Sequence, residues 1–247
     1  PMIKFFRKIR QNLLMENKTG KYFKYAIGEI VLVVIGILIA LSFNNWNERR
    51  KLNDYKKDIY KQIRTDLVSD SLNFETRLEH LNEFEMVANG IIDNKVPEIT
   101  YDTINSTNYR ESNYTTSIIT LGYGLNTNDK GYELLNGFND NETIGDSLDM
   151  AIQNYYSLIK QLNETSQTAD KLSDKNLMEY KEFDWYLDWL SKKYNPEMML
   201  YLKESKDYKI RLAQWRVYAI YNYKSLMEHQ QSTIPSLLKL IDEKLKK

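Results

Sequence analysis

The chain has 247 residues, room for one membrane span and one further domain of roughly 200 residues around a single core. Its 34 basic and 34 acidic side chains cancel, so the overall charge asks for no polyanion and no nucleic-acid partner is expected. Cysteine is absent, which removes disulfides, thiolate metal centres and a cysteine nucleophile; nine Gly and four Pro are few for a turn-rich sheet protein, so composition predicts an all-α fold.

Residues 2–24 interleave Ile3, Phe6, Ile9, Leu13 and Leu14 with Lys4, Arg7, Lys8 and Arg10, the pattern of a basic amphipathic helix in the cytoplasm. Two readings stay open for it. The four cations hold the helix on an anionic membrane surface, or they form a charged flank that only orients the adjoining apolar run. Residues 25–43, YAIGEIVLVVIGILIALSF, make up that run, which is too long for a signal-peptide core and carries no small-x-small cleavage site after it. They predict one retained transmembrane helix in the lipid bilayer. Seven Lys or Arg precede this run against Glu16 alone, so the positive-inside rule places the N-terminus in the cytoplasm. Everything after Phe43 is then expected outside it, in the periplasm behind a bacterial inner membrane. Tyr22 and Tyr25 at one edge and Trp46 at the other suit the interfacial aromatic belts.

At about 100° per residue, Glu29, Gly36, Ala40 and Phe43 share one face of the span. Small residues let two helix backbones approach, and a carboxylate in lipid turns toward protein or water. The seam therefore predicts a homo-oligomer. Glu29 also admits two other readings: a carboxylate snorkelling toward Lys21 or Lys24, and one that lines a proton or cation pathway in an energy-coupling oligomer.

Residues 44–247 predict an elongated antiparallel helical bundle. The span runs on into a long helix over residues 47–93, with Leu52, Tyr55, Ile59, Ile63, Leu67, Leu72, Leu78, Leu81, Phe84, Ala88 and Ile91 as its apolar stripe, so that span and bundle are mechanically joined. Residues 94–141 hold Pro97, four Gly and many Asn, Thr and Ser, and read as a loop-rich insert. A second long helix is expected over 143–194, interrupted near Thr165 to Thr168. A third covers 206–246, with Ile210 and Trp215 facing inward and a kink or break near Thr233 ahead of Pro235.

Candidate chemistry is sparse. His80 and His229 each stand alone in charged helical sequence, without the base and orienting partner that nucleophilic catalysis needs. The stretch 126–131, NTNDKG, has Lys130 where a calcium loop needs an oxygen donor and Gly137 where it needs a bidentate Glu. Glu142, Asp146 and Asp149 form a carboxylate face suited to a helix N-terminus. Gly122-Tyr-Gly124 lacks phosphate-loop spacing. No cofactor, metal or enzymatic activity is expected. Trp185 and Trp189, four residues apart, would share a helix face and dress a surface for an unidentified partner.

Residues 2–48, and above all the run 25–41 followed by Asn44-Asn45-Trp46-Asn47, resemble the start of a family of single-pass proteins of unknown function from Bacteroidetes. The likeness is specific over about the first fifty residues; beyond them it is one of helical order, with Tyr155-Tyr156 resembling a recurrent paired-Tyr site. It implies an inner-membrane anchor carrying a periplasmic helical domain that serves as scaffold, sensor or partner-binding module, and it brings no catalytic residues.

Overall fold

The structure, a computed structural model, describes Arg7 and residues 19–112, 114, 117–138 and 147–246. None of the described residues lies in a strand, and the fold is all-α. Helix α1 (Thr19–Ile92) is the longest element. The chain falls into two units, Pro1–Lys56 and Lys57–Lys247.

In the first unit α1 carries its apolar run with Ile30, Leu32, Ile37 and Leu41 all more than half exposed. Open space lies beside Gly28 and Gly36. The run ends at Phe43, whose ring meets Trp46 at 5.7 Å, and Arg50 lies 6.0 Å over the same indole. Asn44 donates to Glu48 at 3.2 Å one turn further on.

The second unit contains the rest of α1, a short α2 (Glu98–Asp102), 3-10 turns at Tyr109–Glu111 and Ile118–Thr120, α3 (Lys130–Gly137), α4 (Ser147–Tyr180), α5 (Tyr186–Leu190), α6 (Pro196–Glu204), α7 (Lys206–Trp215), a π-helical segment (Arg216–Lys224) and α8 (Ser225–Leu245). Ile59, Ile63, Leu67, Phe74, Leu81 and Ala88 bury one face of α1. Four polar ties give the direction of the C-terminal helices against it: Arg64 to Asp242 (2.8 Å), Gln231 to Ser71 (3.1 Å), Lys224 to Glu85 (2.6 Å) and Arg216 to Asn89 (2.8 Å). From the first tie to the last, α1 advances 25 residues, from 64 to 89, while the C-terminal helices step back 26, from 242 to 216, so the two run antiparallel.

Three expectations change. Helix α4 is unbroken where an interruption near Thr165 to Thr168 was expected. Both hydroxyls fold back onto carbonyls one turn earlier, Thr165 to Gln161 at 2.9 Å and Thr168 to Glu164 at 3.0 Å, so these residues stay helical. Helix α4 also stops at Tyr180 and does not reach Tyr194, because Phe183 and Trp185 turn back onto Tyr180, with ring centroids 6.0 and 5.1 Å away. Of the kink or break expected near Thr233, the break does not occur. Helix α8 passes through Pro235, with Thr233 donating to the Gln230 carbonyl and Ser236 to that of Thr233, both at 2.8 Å, and with Ile234 and Leu237 buried on either side.

The irregularity of the C-terminal helices lies in the π-helical segment. Trp215, Ala219, Tyr223 and Met227 recur every four residues and are all buried. In a regular α-helix three such steps would carry Met227 about 120° off the face of Trp215. The wider π turn absorbs about one surplus residue and keeps the four in line. Deleting the exposed Val217 is therefore expected to let this stretch relax to a regular α-helix, with a thermal unfolding free energy within about 1 kcal/mol of the parent. Deleting Lys239 from regular α8 is expected to unfold the unit in the same measurement.

Candidate functional site

The centre of the second unit is a stretch of chain strung between helices, the 3-10 turn Ile118–Thr120 followed by the irregular residues 121–129. The Ile118 carbonyl accepts from the Leu121 N–H (3.2 Å) within the 3-10 turn, whereas the backbone groups of the buried Ile119 and Tyr123 take partners from side chains. Helix α4 supplies them along its length. Asn176 donates to the Ile119 carbonyl (3.0 Å), Asp170 accepts from the Tyr123 N–H, Ser166 donates to the Tyr123 carbonyl (2.7 Å), and Tyr156 donates to the Asn128 carbonyl (3.2 Å). From Ile119 to Asn128 the loop advances nine residues while its partners step back twenty, from Asn176 to Tyr156. Tyr123 is the hub: Trp215 donates its indole N–H to the Tyr123 hydroxyl, and Tyr223 donates to its carbonyl at 3.1 Å.

Helix α1 holds the far end of the loop with two carboxylates. Asp66 accepts from the Gly131 N–H (2.7 Å) and from Gln62 (2.8 Å). Asp70 accepts twice from Asn128, from its backbone N–H (2.9 Å) and its side-chain amide (2.8 Å). Asp66 thus caps α3 from outside its own chain segment. Gly131 sits so close to α1 that an added Cβ would stand 2.6 Å from the Ile63 backbone nitrogen. The second oxygen of Asp70 and the hydroxyl of Tyr155 are both buried without a hydrogen-bond partner. Burial pushes the Asp70 carboxyl up from 3.8 to about 6, against the lowering effect of the Asn128 hydrogen bonds; Asp66 and Asp129 add to the rise.

The other end of the loop forms one wall of a cavity of about 580 Å³. Ser117, Thr120 and Leu121 line it together with Tyr109, Arg110, Trp189, Leu190, Lys192, Lys193 and Met198. Ser117 is fixed by a 2.8 Å hydrogen bond to the Tyr180 hydroxyl. Trp189 packs edge-on to Tyr180 at 5.6 Å and stacks on Tyr186 at 5.9 Å. The chain leaves α5 by a Schellman turn, with Lys193 N–H bonding the Asp188 carbonyl (2.8 Å) and Lys192 N–H that of Trp189 (3.0 Å). Lys192 holds the left-handed position of that turn at φ 54°, where glycine is usual and a side chain costs about 1 kcal/mol. Arg110 donates to the Lys192 carbonyl through Nε (3.1 Å) and Nη2 (2.5 Å), bracing the strap from 82 residues away.

The residues singled out in sequence are scattered over both units. Glu29 is half-buried on α1, Gly36 and Ala40 are exposed, and Phe43 is 68% exposed beside Trp46. Arg7 is exposed, whereas Lys4, Lys8 and Arg10 lie outside the described residues, as do Glu142 and Asp146. His80 and His229 are exposed. Trp185 and Trp189 do not share one helix face. Trp185 is only 3% exposed and stacks on Phe183 at 4.8 Å, because residues 181–185 turn and do not continue a helix. Trp189, half-buried, lines the cavity, while Trp185 lies at a separate depression with Phe183, Leu200 and Tyr201. Sequence reading missed Asp66 and Asp70; their signal is two carboxylates four apart on the face defined by Ile59, Ile63 and Phe74. Among the described residues no group of three or more His, Cys, Asp or Glu is placed to hold a metal ion.

Fold and site together describe an all-α chain whose first helix is long and apolar enough to cross a membrane and whose described residues show a ligand-sized cavity but no metal cluster. The chain belongs to a family of unknown function (DUF6090), which matches residues 29–172. That stretch includes the strung loop and both acidic anchors; Trp189, Lys192 and Lys193 lie beyond it. Neither a curated protein nor a solved structure matches the chain.

Two substitutions test the acidic end. Gly131→Ala drives a methyl into the backbone of α1 and is expected to destabilise the unit by about 2–4 kcal/mol in chemical denaturation. Asp70 binds its proton more tightly folded than unfolded, so its contribution is complete below pH 4 and is lost as pH rises through about 6. Asp70→Asn keeps the acceptor for Asn128 and removes the charge. Its stability advantage over the parent is expected to be greatest at pH 7.5 and to shrink by about 1 kcal/mol at pH 5, read from paired unfolding curves.

Proposed function

We propose that this is a single-pass membrane protein without catalytic activity, which self-associates through its span and carries a helical binding module. One observation supports the reading above all. Helix α1 holds an eighteen-residue window of mean hydropathy 2.7, none of it buried. Each exposed Leu or Ile there forfeits roughly 1.5–3 kcal/mol of burial in water, so lipid or another copy must cover it. Lipid suits the Ile, Leu and Val face. The seam of Glu29, Gly36, Ala40 and Phe43 suits a second copy, because the open space beside Gly36 admits a neighbouring backbone and gives Glu29 a protein surface to face. The excess of Lys and Arg before the span supports a cytoplasmic N-terminus, and with it a periplasmic binding module on a bacterial inner membrane, as the resemblance to the Bacteroidetes single-pass proteins also implies.

Native mass spectrometry of the full chain in mild detergent is expected to show a defined oligomer. Gly36→Leu fills the approach surface and is expected to raise the dissociation constant at least tenfold, about 1.4 kcal/mol. A parent chain that is purely monomeric, or an oligomer indifferent to Gly36→Leu, overturns the reading.

A further inference from the structure

The cavity beside Trp189 has two kinds of wall. Its buried side is mainly apolar or aromatic, with Met198 fully enclosed, Tyr109, Leu121 and Trp189 half-buried, and Ser117 and Thr120 as its polar groups. Its exposed rim carries Arg110, Lys192 and Lys193, and among the described residues no carboxylate lines it. Three cations of one sign beside a low-dielectric wall raise the local potential and favour an anion there. The apolar wall favours a body that leaves water.

Lys192 adds an argument that position alone does not. A Schellman turn is most easily closed by glycine, and here the left-handed residue is a lysine that faces the cavity rim. The strain buys no contact within the turn itself, whose two hydrogen bonds are made by backbone groups that glycine also has. What lysine adds over glycine is a cation at the rim. Strained backbone of this kind is characteristic of ligand clamps. Arg110 is arranged to the same end: two of its donors brace the Lys192 carbonyl, and its guanidinium lies 5.8 Å over the Tyr109 ring, which fixes its charge at the rim.

From these observations we infer that the cavity binds an amphiphilic anion, a carboxylate or comparable acidic headgroup on an acyl or aromatic body. The headgroup meets Lys192, Lys193 and Arg110, and the body lies along Trp189, Leu121 and Met198. The inference stands independently of self-association through the span.

The test uses the full chain in zwitterionic nanodiscs, titrated calorimetrically with octanoate, octanamide and octylammonium, with empty nanodiscs as the background. Octanoate is expected to bind at least tenfold more tightly than octanamide, with an affinity that falls as salt is raised, and octylammonium is expected not to bind. Lys193→Glu is expected to weaken octanoate at least tenfold at an unchanged melting temperature. Lys192→Gly is the sharper variant: it is expected to raise the melting temperature by about 2–4 °C by relieving the strain while weakening octanoate at least fivefold. No binding of octanoate, equal binding of octanoate and octanamide, or octanoate affinity unchanged in both lysine variants would overturn the proposal.

Discussion

The second unit depends on one constraint: an irregular piece of chain runs through a helical bundle, and its buried peptide groups must find partners. Helices cannot offer backbone groups, since theirs are spent internally, so side chains must do it. This explains the polar residues on otherwise apolar inner faces. Ser166 and Asn176 on α4 are buried because Tyr123 and Ile119 carry carbonyls that need donors. Asp66 and Asp70 are buried on α1 because Gly131 and Asn128 carry N–H groups that need acceptors. Each such bond contributes only about 1 kcal/mol net, but losing one strands a buried group at a penalty of about 1–3 kcal/mol. The arrangement therefore acts more on uniqueness than on total stability. A slipped loop register leaves several groups unpaired at once, because donors and acceptors along α4 match the loop only at one offset.

Tyr123 shows how this constraint reaches the C-terminal helices. Its N–H and carbonyl are engaged by α4, its carbonyl also accepts from Tyr223, and its hydroxyl accepts from Trp215. Trp215 and Tyr223 must then lie on one face although they are eight residues apart, with Ala219 between them. A regular α-helix rotates them about 80° out of line over that interval. The π-helical segment is thus the backbone's response to a side-chain requirement, and its cause lies in a loop residue ninety-two positions before Trp215.

This separates what the sequence discloses from what it hides. The positions of the long helices are legible because apolar residues recur at helical spacing over many turns, and Ile59, Ile63, Leu67, Leu81, Ala88 and Ile91 are all found buried where that spacing puts them. Leu72, Ile210 and Leu187 sit among the same apolar runs and are exposed, Leu187 at 73%, because apolarity alone does not fix register when the inner face also holds Asp70, Tyr208 or Tyr180. A carboxylate on that face reads as solvated until the loop that needs it is known. The end of α4 is hidden for a related reason: nothing at residues 181–185 breaks a helix locally, and the turn is made by aromatic packing on Tyr180. The Schellman turn after α5 is hidden because its signature residue, glycine, is replaced by Lys192.

The cavity joins these two kinds of structure, and its walls differ accordingly. On one side Ser117, Thr120 and Leu121 belong to the strung loop and inherit its rigidity, with Ser117 tied to Tyr180 and Ile119 to Asn176 just behind. On the other side Lys192 and Lys193 come after a five-residue helix, and the Lys192 carbonyl is braced by the Arg110 guanidinium. That brace crosses from one wall's segment to the other, so the spacing of the rim cations is set by a single side chain rather than by a helix. Bringing Arg110 to the Lys192 carbonyl also brings three positive charges to one rim without a carboxylate among the described lining residues. Mutual repulsion among them opposes the brace, and the brace is satisfied at the carbonyl while the charges are not satisfied at the rim. An anion seated there would remove that opposition, so the contact that shapes the cavity and the charge that would fill it favour the same arrangement.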